Sequence, residues 1–249
     1  MDWANEELEG YAKIRMAWLK RTENVGLRGK VAYEDGNPVG FIQYLPIKHA
    51  PVAVVGRDLT FIPCMTIVSE ASGKGYGKAL LVVAEEDARR TSKGVVVSAF
   101  DHDFWYMPAS FFAKFGYEEV ARRGKAWVLL MKNFGDAEAP RFIRTSYQPY
   151  LIPRKVVVEA FESSWCGTDA TELLRVREVC AEFGDRVALR EYDTSRREVV
   201  EKYGITREVF FNGRGKFRVG EKEASKDEIR LEINRALQEL TKPRKSHSA

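Results

Sequence analysis

The chain has 249 residues, 45% apolar and 12% aromatic, enough for two domains of ordinary size, each with its own core. Its net charge of +4 comes from 40 basic and 36 acidic side chains interleaved along the sequence, which describes a solvated surface rather than a nucleic-acid stripe. No apolar run has the length of a membrane span, and the acidic stretch after Met1-Asp2-Trp3 is unlike a secretory signal. Cys64, Cys166 and Cys180, and the scattered His49, His102 and His247, have neither disulfide-framework nor zinc spacing, so reduced thiols in a cytoplasmic setting are expected and no metal site.

Leu8, Tyr11, Ile14 and Trp18 recur at helical spacing and predict a first helix over about 4–21. A hairpin follows, with strands at 30–33 and 39–44 around Asp35-Gly36-Asn37, and then a longer strand over 58–67. The glycine-rich turn at 73–77 opens a helix with Leu80, Val83, Ala84 and Ala88 as its apolar stripe. Residues 94–100 read as a buried strand. Pro108 starts a helix that ends at Gly116, and strands at 117–123 and 126–132 close the unit. Phe134-Gly135-Asp136 and the prolines at 140, 149 and 153 break all periodicity. The division expected is a first domain over 1–133, a joint over 134–153 and a second domain over 154–249.

The second unit restarts with a strand at 155–161, a helix at 169–183, a strand at 187–192 and a short helix at 195–203. A hairpin follows, with strands at 209–211 and 216–219 around Asn212-Gly213. Ser225 and Glu228 form a capping box for a last helix. The order βαβα-ββα is that of a thioredoxin-like domain. The basic tail Lys242-Pro243-Arg244-Lys245 reads as a frayed terminus.

Gly73-Lys74-Gly75-Tyr76-Gly77-Lys78 stands between a strand and a helix. Glycines there let the backbone come close to a ligand, and successive N–H groups at a helix N-terminus form a seat for a pyrophosphate, with Lys74 and Lys78 adding positive charge. A P-loop is excluded because no Gly-Lys-Ser/Thr ends the run. A dinucleotide fingerprint is excluded by the glycine spacing and the mainly antiparallel context.

With these residues the sequence resembles the GNAT superfamily, whose acyl-CoA motif Arg/Gln-x-x-Gly-x-Gly/Ala stands here as Ser72-Gly73-Lys74-Gly75-Tyr76-Gly77. Phe112-Ala113-Lys114-Phe115-Gly116-Tyr117 resembles the second signature, Tyr-x-Lys-x-Gly-Phe. The element order matches over about residues 1–132. The resemblance implies an α/β (more narrowly α+β) fold with a mixed, mainly antiparallel splayed sheet, and acetyl-CoA as acyl donor. It further implies that the strand ending at Met65-Thr66-Ile67 splays from the strand at 95–100. Backbone groups of Thr66 and Ile67 would then hold pantetheine, the amides from Gly73 to Lys78 the pyrophosphate, and an N–H near Cys64–Met65 the thioester oxygen. Three departures stand out: Ser72 replaces Arg or Gln, Phe112 replaces a tyrosine that in many relatives protonates the leaving thiolate, and no obvious first strand precedes the first helix.

The base that takes a proton from the acceptor has candidates in Glu70, Asp101, His102, Asp103 and Tyr106, with Cys64 on the splayed strand facing the cleft. Residues 101–103 also read as a solvated loop, and Cys64 as a small core residue. In the second unit, Ser164-Trp165-Cys166-Gly167-Thr168-Asp169 occupies the place of a Trp-Cys-x-x-Cys motif, with Asp169 where the second cysteine would be. Cys166 thus has no resolving partner within its domain, although a helix N-terminus lowers its pKa. A GNAT domain followed by a degenerate thioredoxin-like domain resembles the acetyltransferases with a YoaP-like C-terminal domain. The resemblance implies direct transfer of acetyl from acetyl-CoA to an amine or thiol acceptor, either a small molecule or a peptide. An acyl-CoA sensor or adapter, and a thiol-redox protein acting through Cys166, are the alternatives. A homodimer stays open; neither nucleic acid nor membrane is expected as partner.

Overall fold

Helix α1 (Glu6–Glu23) opens the structure, a computed structural model that describes residues 6–102, 106–219 and 221–241. Met1-Asp2-Trp3, Asp103 and the basic tail from Lys242 lie outside the described residues. Asp35 (φ 49°) and Gly36 (φ 81°) form the two-residue turn whose twist suits an antiparallel pair, and they join β1 (Arg28–Glu34) to β2 (Asn37–Pro46). After a two-residue β3 (Val54–Val55) come β4 (Thr60–Ile67), α2 (Tyr76–Arg89), β5 (Gly94–Phe100), α3 (Ala109–Ala113), β6 (Glu118–Arg123) and β7 (Trp127–Asn133). Six strands make one sheet in the order β1-β2-β4-β5-β7-β6. Every neighbouring pair is antiparallel except β4–β5, whose parallel pairing needs the α2 crossover.

Helix α2 buries Leu80, Leu81, Ala84 and Ala88, whereas Val83, expected on that stripe, is 37% exposed. The helix lies on the sheet along the 81–84–88 line, which turns Val83 outward. Helix α3 is shorter than its sequence suggests, capped by Pro108 in extended conformation and ended before Gly116 (φ 83°). The joint at 134–153 is not wholly irregular: β8 (Arg141–Phe142) pairs with β3. A two-residue strand carries no periodicity, so the sequence could not announce it.

The second sheet has the order β10-β9-β11-β12. The second unit runs β9 (Val156–Glu162), α4 (Gly167–Glu182), β10 (Val187–Asp193), α5 (Arg197–Tyr203), β11 (Glu208–Phe211) and β12 (Arg214–Lys216), and α6 (Lys226–Thr241) is its last described element. Strand β10 runs parallel to β9, and β11 antiparallel to both β9 and β12. The hairpin strand expected to reach 219 stops at Lys216, because Phe217 takes φ 54° and leaves the ladder. The capping box is present: Ser225 N donates to Glu228 Oε2 at 2.9 Å and Glu228 N to Ser225 Oγ at 3.2 Å.

The two units meet where Trp165 of the second enters an apolar core of the first. Trp18 of α1 is fully buried and its ring lies 6.4 Å from that of Trp165, which precedes α4. Both belong to one cluster with Leu45, Phe61, Val96 and Leu129 of the first sheet. Trp165 Nε1 donates to Pro51 O (3.2 Å), Ala53 N to Thr206 Oγ1 (2.9 Å) and Arg21 to Ser195 Oγ (2.6 Å). No helix among the described residues is long and apolar enough to cross a membrane.

Candidate active site

Strands β4 and β5 pair only at Thr60↔Val95, Phe61↔Val96 and Ile62↔Val97, although both run on past that point. The split begins at Pro63, which has no N–H to give to a ladder. On the other side of β4 the register with β2 moves from Leu45↔Phe61 to Gln43↔Cys64, so Ile62 and Pro63 face the single residue Tyr44. This is a β-bulge, which bends β4 away from β5. The splay expected from the sequence is therefore present, and residues from Pro63 to Ile67 offer backbone groups that β5 does not use.

The end of β4 leads to the glycine loop. Ile67 packs on the start of α2, where a Cβ at Gly77 would come 3.9 Å from its side chain. Gly73 (φ 78°) and Gly75 (φ 91°) both need left-handed backbone, and a Cβ at either would meet no atom within 4 Å. Gly75 is the N-cap of α2, with no side-chain cap and no acidic residue in the first turn. The first amides of α2 thus keep their hydrogen-bonding capacity and the positive end of the helix dipole. The loop fits an anionic group. Of the two lysines expected to assist, Lys74 is committed elsewhere: Nζ bonds both oxygens of Glu34 at 2.9 Å, and Tyr76 donates to the same carboxylate at 3.0 Å. These two donors hold the Glu34 carboxyl below its usual range. Lys78 is left to supply the charge. Ser72 caps the one-turn 3₁₀ segment Ser69–Ala71 that leads into the loop.

Where β4 and β5 part, a cavity of about 300 Å³ opens. Its walls come from both units: Pro63, Cys64 and Thr66 of β4 and Ser98 and Phe100 of β5 on one side, Cys166, Asp169 and Arg207 on the other. Tyr11 and Arg15 of α1 and the ring of Trp165 complete it. Cys64 and Cys166, which the sequence assigns to different domains, line one cavity, because α1 packs on α4 and carries the second unit over the split; the glycine loop at 73–78 is not part of its lining.

Of the expected catalytic residues, Cys64 and Tyr106 are brought together here. Cys64 is 8% exposed, so it is at once a core residue and a cavity wall; burial pushes its thiol up. Tyr106 hydrogen-bonds Cys64 and lies 3.4 Å from Pro63 O through its hydroxyl. Burial, with the cysteines adding to it, pushes its phenol well above the usual range, so the hydroxyl keeps its proton. His102 stacks on Phe100 (5.6 Å between rings) and is not among the lining residues. Asp101 is exposed and paired with Arg122 at 2.7 Å, and Glu70 is exposed outside the cavity. Phe112 is fully buried in the core of the first sheet and takes no part.

Cys166 is the N-cap of α4 itself, since that helix starts at Gly167, two residues earlier than its apolar pattern suggests. One turn on, Asp169 lies 3.5 Å from Arg207. Glu172 meets the same guanidinium at 2.6 Å and Glu162 at 3.8 Å, all nearly or fully buried. Three carboxylates share one cation; burial, then the charges of Glu172 and Asp169, push the Glu162 carboxyl well up, so it holds a proton. Sequence reasoning missed Arg15, Thr206 and Arg207 as site residues. Each looks like an ordinary helix or loop position, and only the seating of one unit on the other makes it a wall.

Residues 28–119, from β1 into β6, match the acetyltransferase (GNAT) domain family. No curated protein matches the chain. Among solved structures, an acetyltransferase of the GNAT family from Desulfovibrio desulfuricans is 16% identical, with 54% of this chain and 86% of that chain covered and a TM-score of 0.42. PaiA N-acetyltransferase from Thermoplasma acidophilum, in complex with coenzyme A, is 18% identical over 53% and 80%, at 0.40. Ribosomal-protein-alanine N-acetyltransferase from Brucella melitensis is 23% identical over 49% and 77%, at 0.39. The bulged and splayed β4, the glycine loop and α2 all fall inside the matched segment, and residues 28–119 carry the GNAT acetyltransferase domain.

Proposed function

We propose that the protein transfers the acetyl group of acetyl-CoA directly to a small acceptor seated between its two units. The observation that carries this is the succession along the chain of three features: a cavity where β4 and β5 part, a strand edge freed at Pro63, and an open glycine loop at the N-terminus of α2. Acetyl-CoA supplies an acyl thioester whose thiolate must be protonated as it leaves. The amides of Tyr76, Gly77 and Lys78 bind the pyrophosphate, with the Lys78 ammonium beside them. The free backbone of Thr66 and Ile67 holds the pantetheine arm, and an amide at Cys64–Met65 polarises the carbonyl. Tyr106 gives the proton that the leaving sulfur needs, the role that Phe112 cannot fill. Asp169 is the one carboxylate among the described lining residues, and it receives the proton of the acceptor.

The second unit, by its strand order, is best read as a degenerate thioredoxin-like domain of the YoaP-like kind that has become a wall of the acceptor site. A second reading, thiol chemistry at Cys166, has one observation in its favour: the thiol caps α4 and lines the same cavity as Cys64. Release of free CoA, followed with a thiol reagent against a panel of small amines, small thiols and peptides, tests the proposal. Turnover with small acceptors, slowed in Tyr106→Phe, is expected. Tight binding of acetyl-CoA with no release across the panel would assign the sensor reading instead.

A further inference from the structure

The cavity contains two guanidinium groups with opposite surroundings. Arg207 has three carboxylates around it. Arg15, reaching in from α1, has none among the described residues. Its Nη1 donates to Trp165 O and its Nη2 to Gln43 Oε1 at 3.0 Å, both neutral acceptors. Its Cζ lies 5.7 Å from the Phe41 ring and 6.0 Å from the Tyr11 ring. The titratable groups close to it do not supply a counter-charge: burial pushes both the Cys64 thiol and the Tyr11 phenol up, so each stays neutral.

A half-buried cation held in a fixed pose by neutral carbonyls keeps part of its donor fork for something else. Guanidinium groups match carboxylates best, and removing one from water without an anion is costly. The bond to Trp165 O also fixes Arg15 to the residue that roofs the cavity, so the fork is oriented before any acceptor arrives. The remaining walls near it are apolar rings, Tyr11, Phe41 and Trp165. A volume of about 300 Å³ is at the small end of ligand sites and suits a small acceptor.

Resting on the acetyl-transfer reading, we propose that the acceptor is a small amino acid or similar amino-carboxylic acid with an apolar side chain, its carboxylate held by Arg15. The amine nitrogen bonds to the acetyl carbon as the carbon–sulfur bond breaks. One nitrogen proton leaves to Asp169, the sulfur takes a proton from Tyr106, and proton return from Asp169 to Tyr106 through the cavity closes the cycle. The sum is amine plus acetyl thioester giving N-acetyl amide plus thiol.

The test uses product probes in matched pairs, so that it does not depend on turnover. N-acetyl-L-phenylalanine and N-acetyl-L-leucine are compared with N-acetylphenethylamine and N-acetylisoamylamine, which lack the carboxylate, by calorimetric titration of the full chain with CoA present. The acids are expected to bind at least about tenfold tighter, the affinity equivalent of a charge-assisted hydrogen bond. Arg15→Met should erase that preference, and Arg15→Lys, which keeps charge without the fork, should retain part of it. The acetyl-CoA melting shift reports folding of each variant and stands apart from the acceptor question; its absence in the wild type would remove the acetyl-transfer reading itself. With that shift intact, equal binding within each pair, binding of neither member, or an unchanged preference in Arg15→Met overturns the assignment of a carboxylate-bearing acceptor.

Discussion

Gly75→Glu separates the phosphate seat from every other feature of the fold. Gly75 has φ 91° and open space where its Cβ would stand, so a side chain is resisted by backbone conformation rather than by collision. A left-handed conformation costs an L-residue about 1–2 kcal/mol, and a carboxylate at the N-terminus of α2 returns about 0.3–1 kcal/mol. The free protein should therefore lose about 1 kcal/mol, or roughly 2–4 °C in a chain of this size. Acetyl-CoA at a hundred times its Kd stabilises the wild type by about 2.7 kcal/mol, equivalent to a rise of roughly 5–10 °C. In Gly75→Glu that rise should vanish, because the new carboxylate sits where the pyrophosphate must. Gly124→Glu is the control: Gly124, in the turn between β6 and β7, has φ 66° and equally open surroundings. It should show a similar loss in the free protein and the full rise with acetyl-CoA. Thermal melts of the three proteins with and without ligand suffice. A full shift in Gly75→Glu, or a lost one in Gly124→Glu, would refute the placement of the phosphate seat.

Tyr106→Phe should leave the acetyl-CoA melting shift intact and lower kcat by about 10²-fold or more, measured as CoA release, since it removes a proton donor and no binding contact of the loop; an unchanged kcat would take the acid role from this residue. Alkylation should find Cys166 first and Cys180 last. The former caps α4 at a cavity wall, while burial pushes the latter thiol up to about 12, and mass mapping after a pH series would show the order. Glu162→Gln should raise the melting temperature at pH 8 and change it less at pH 5. The folded state keeps the Glu162 carboxyl protonated above its ordinary 4.5, so native stability falls as pH climbs from that value through the raised one, and an amide removes the loss. Equal destabilisation at both pH values would contradict a protonated Glu162.

Much of the first unit was legible because its signals are local. Asp35-Gly36 states its own turn, the run from Gly73 to Lys78 states a loop that approaches a ligand, and residues 94–100 alternate nothing because both faces of β5 are covered. The same holds for Ser225 and Glu228, whose reciprocal bonds need only three residues of chain. The catalytic candidates were less legible. Placing the base in the loop at 101–103 assumed that a loop after a central strand faces the substrate, yet of its described residues Asp101 turns outward to Arg122, and His102 stacks on Phe100 without itself joining the lining.

By itself, then, the sequence determined the order of the longer strands and helices, the glycine loop at 73–78 and the place of Cys166 before a helix, all of which follow from turn chemistry, capping and short-range apolar periodicity. Only the tertiary structure decided where the cavity lies and what lines it. Arg15, Cys64, Cys166 and Asp169 are separated by up to 154 positions in the chain and meet because Trp18 and Trp165 bury themselves in one core. Hydrophobic burial is non-directional and carries no signature in local spacing, so the packing of one unit on the other, and the Arg15 guanidinium it leaves with no carboxylate beside it among the described residues, cannot be read before the chain is folded.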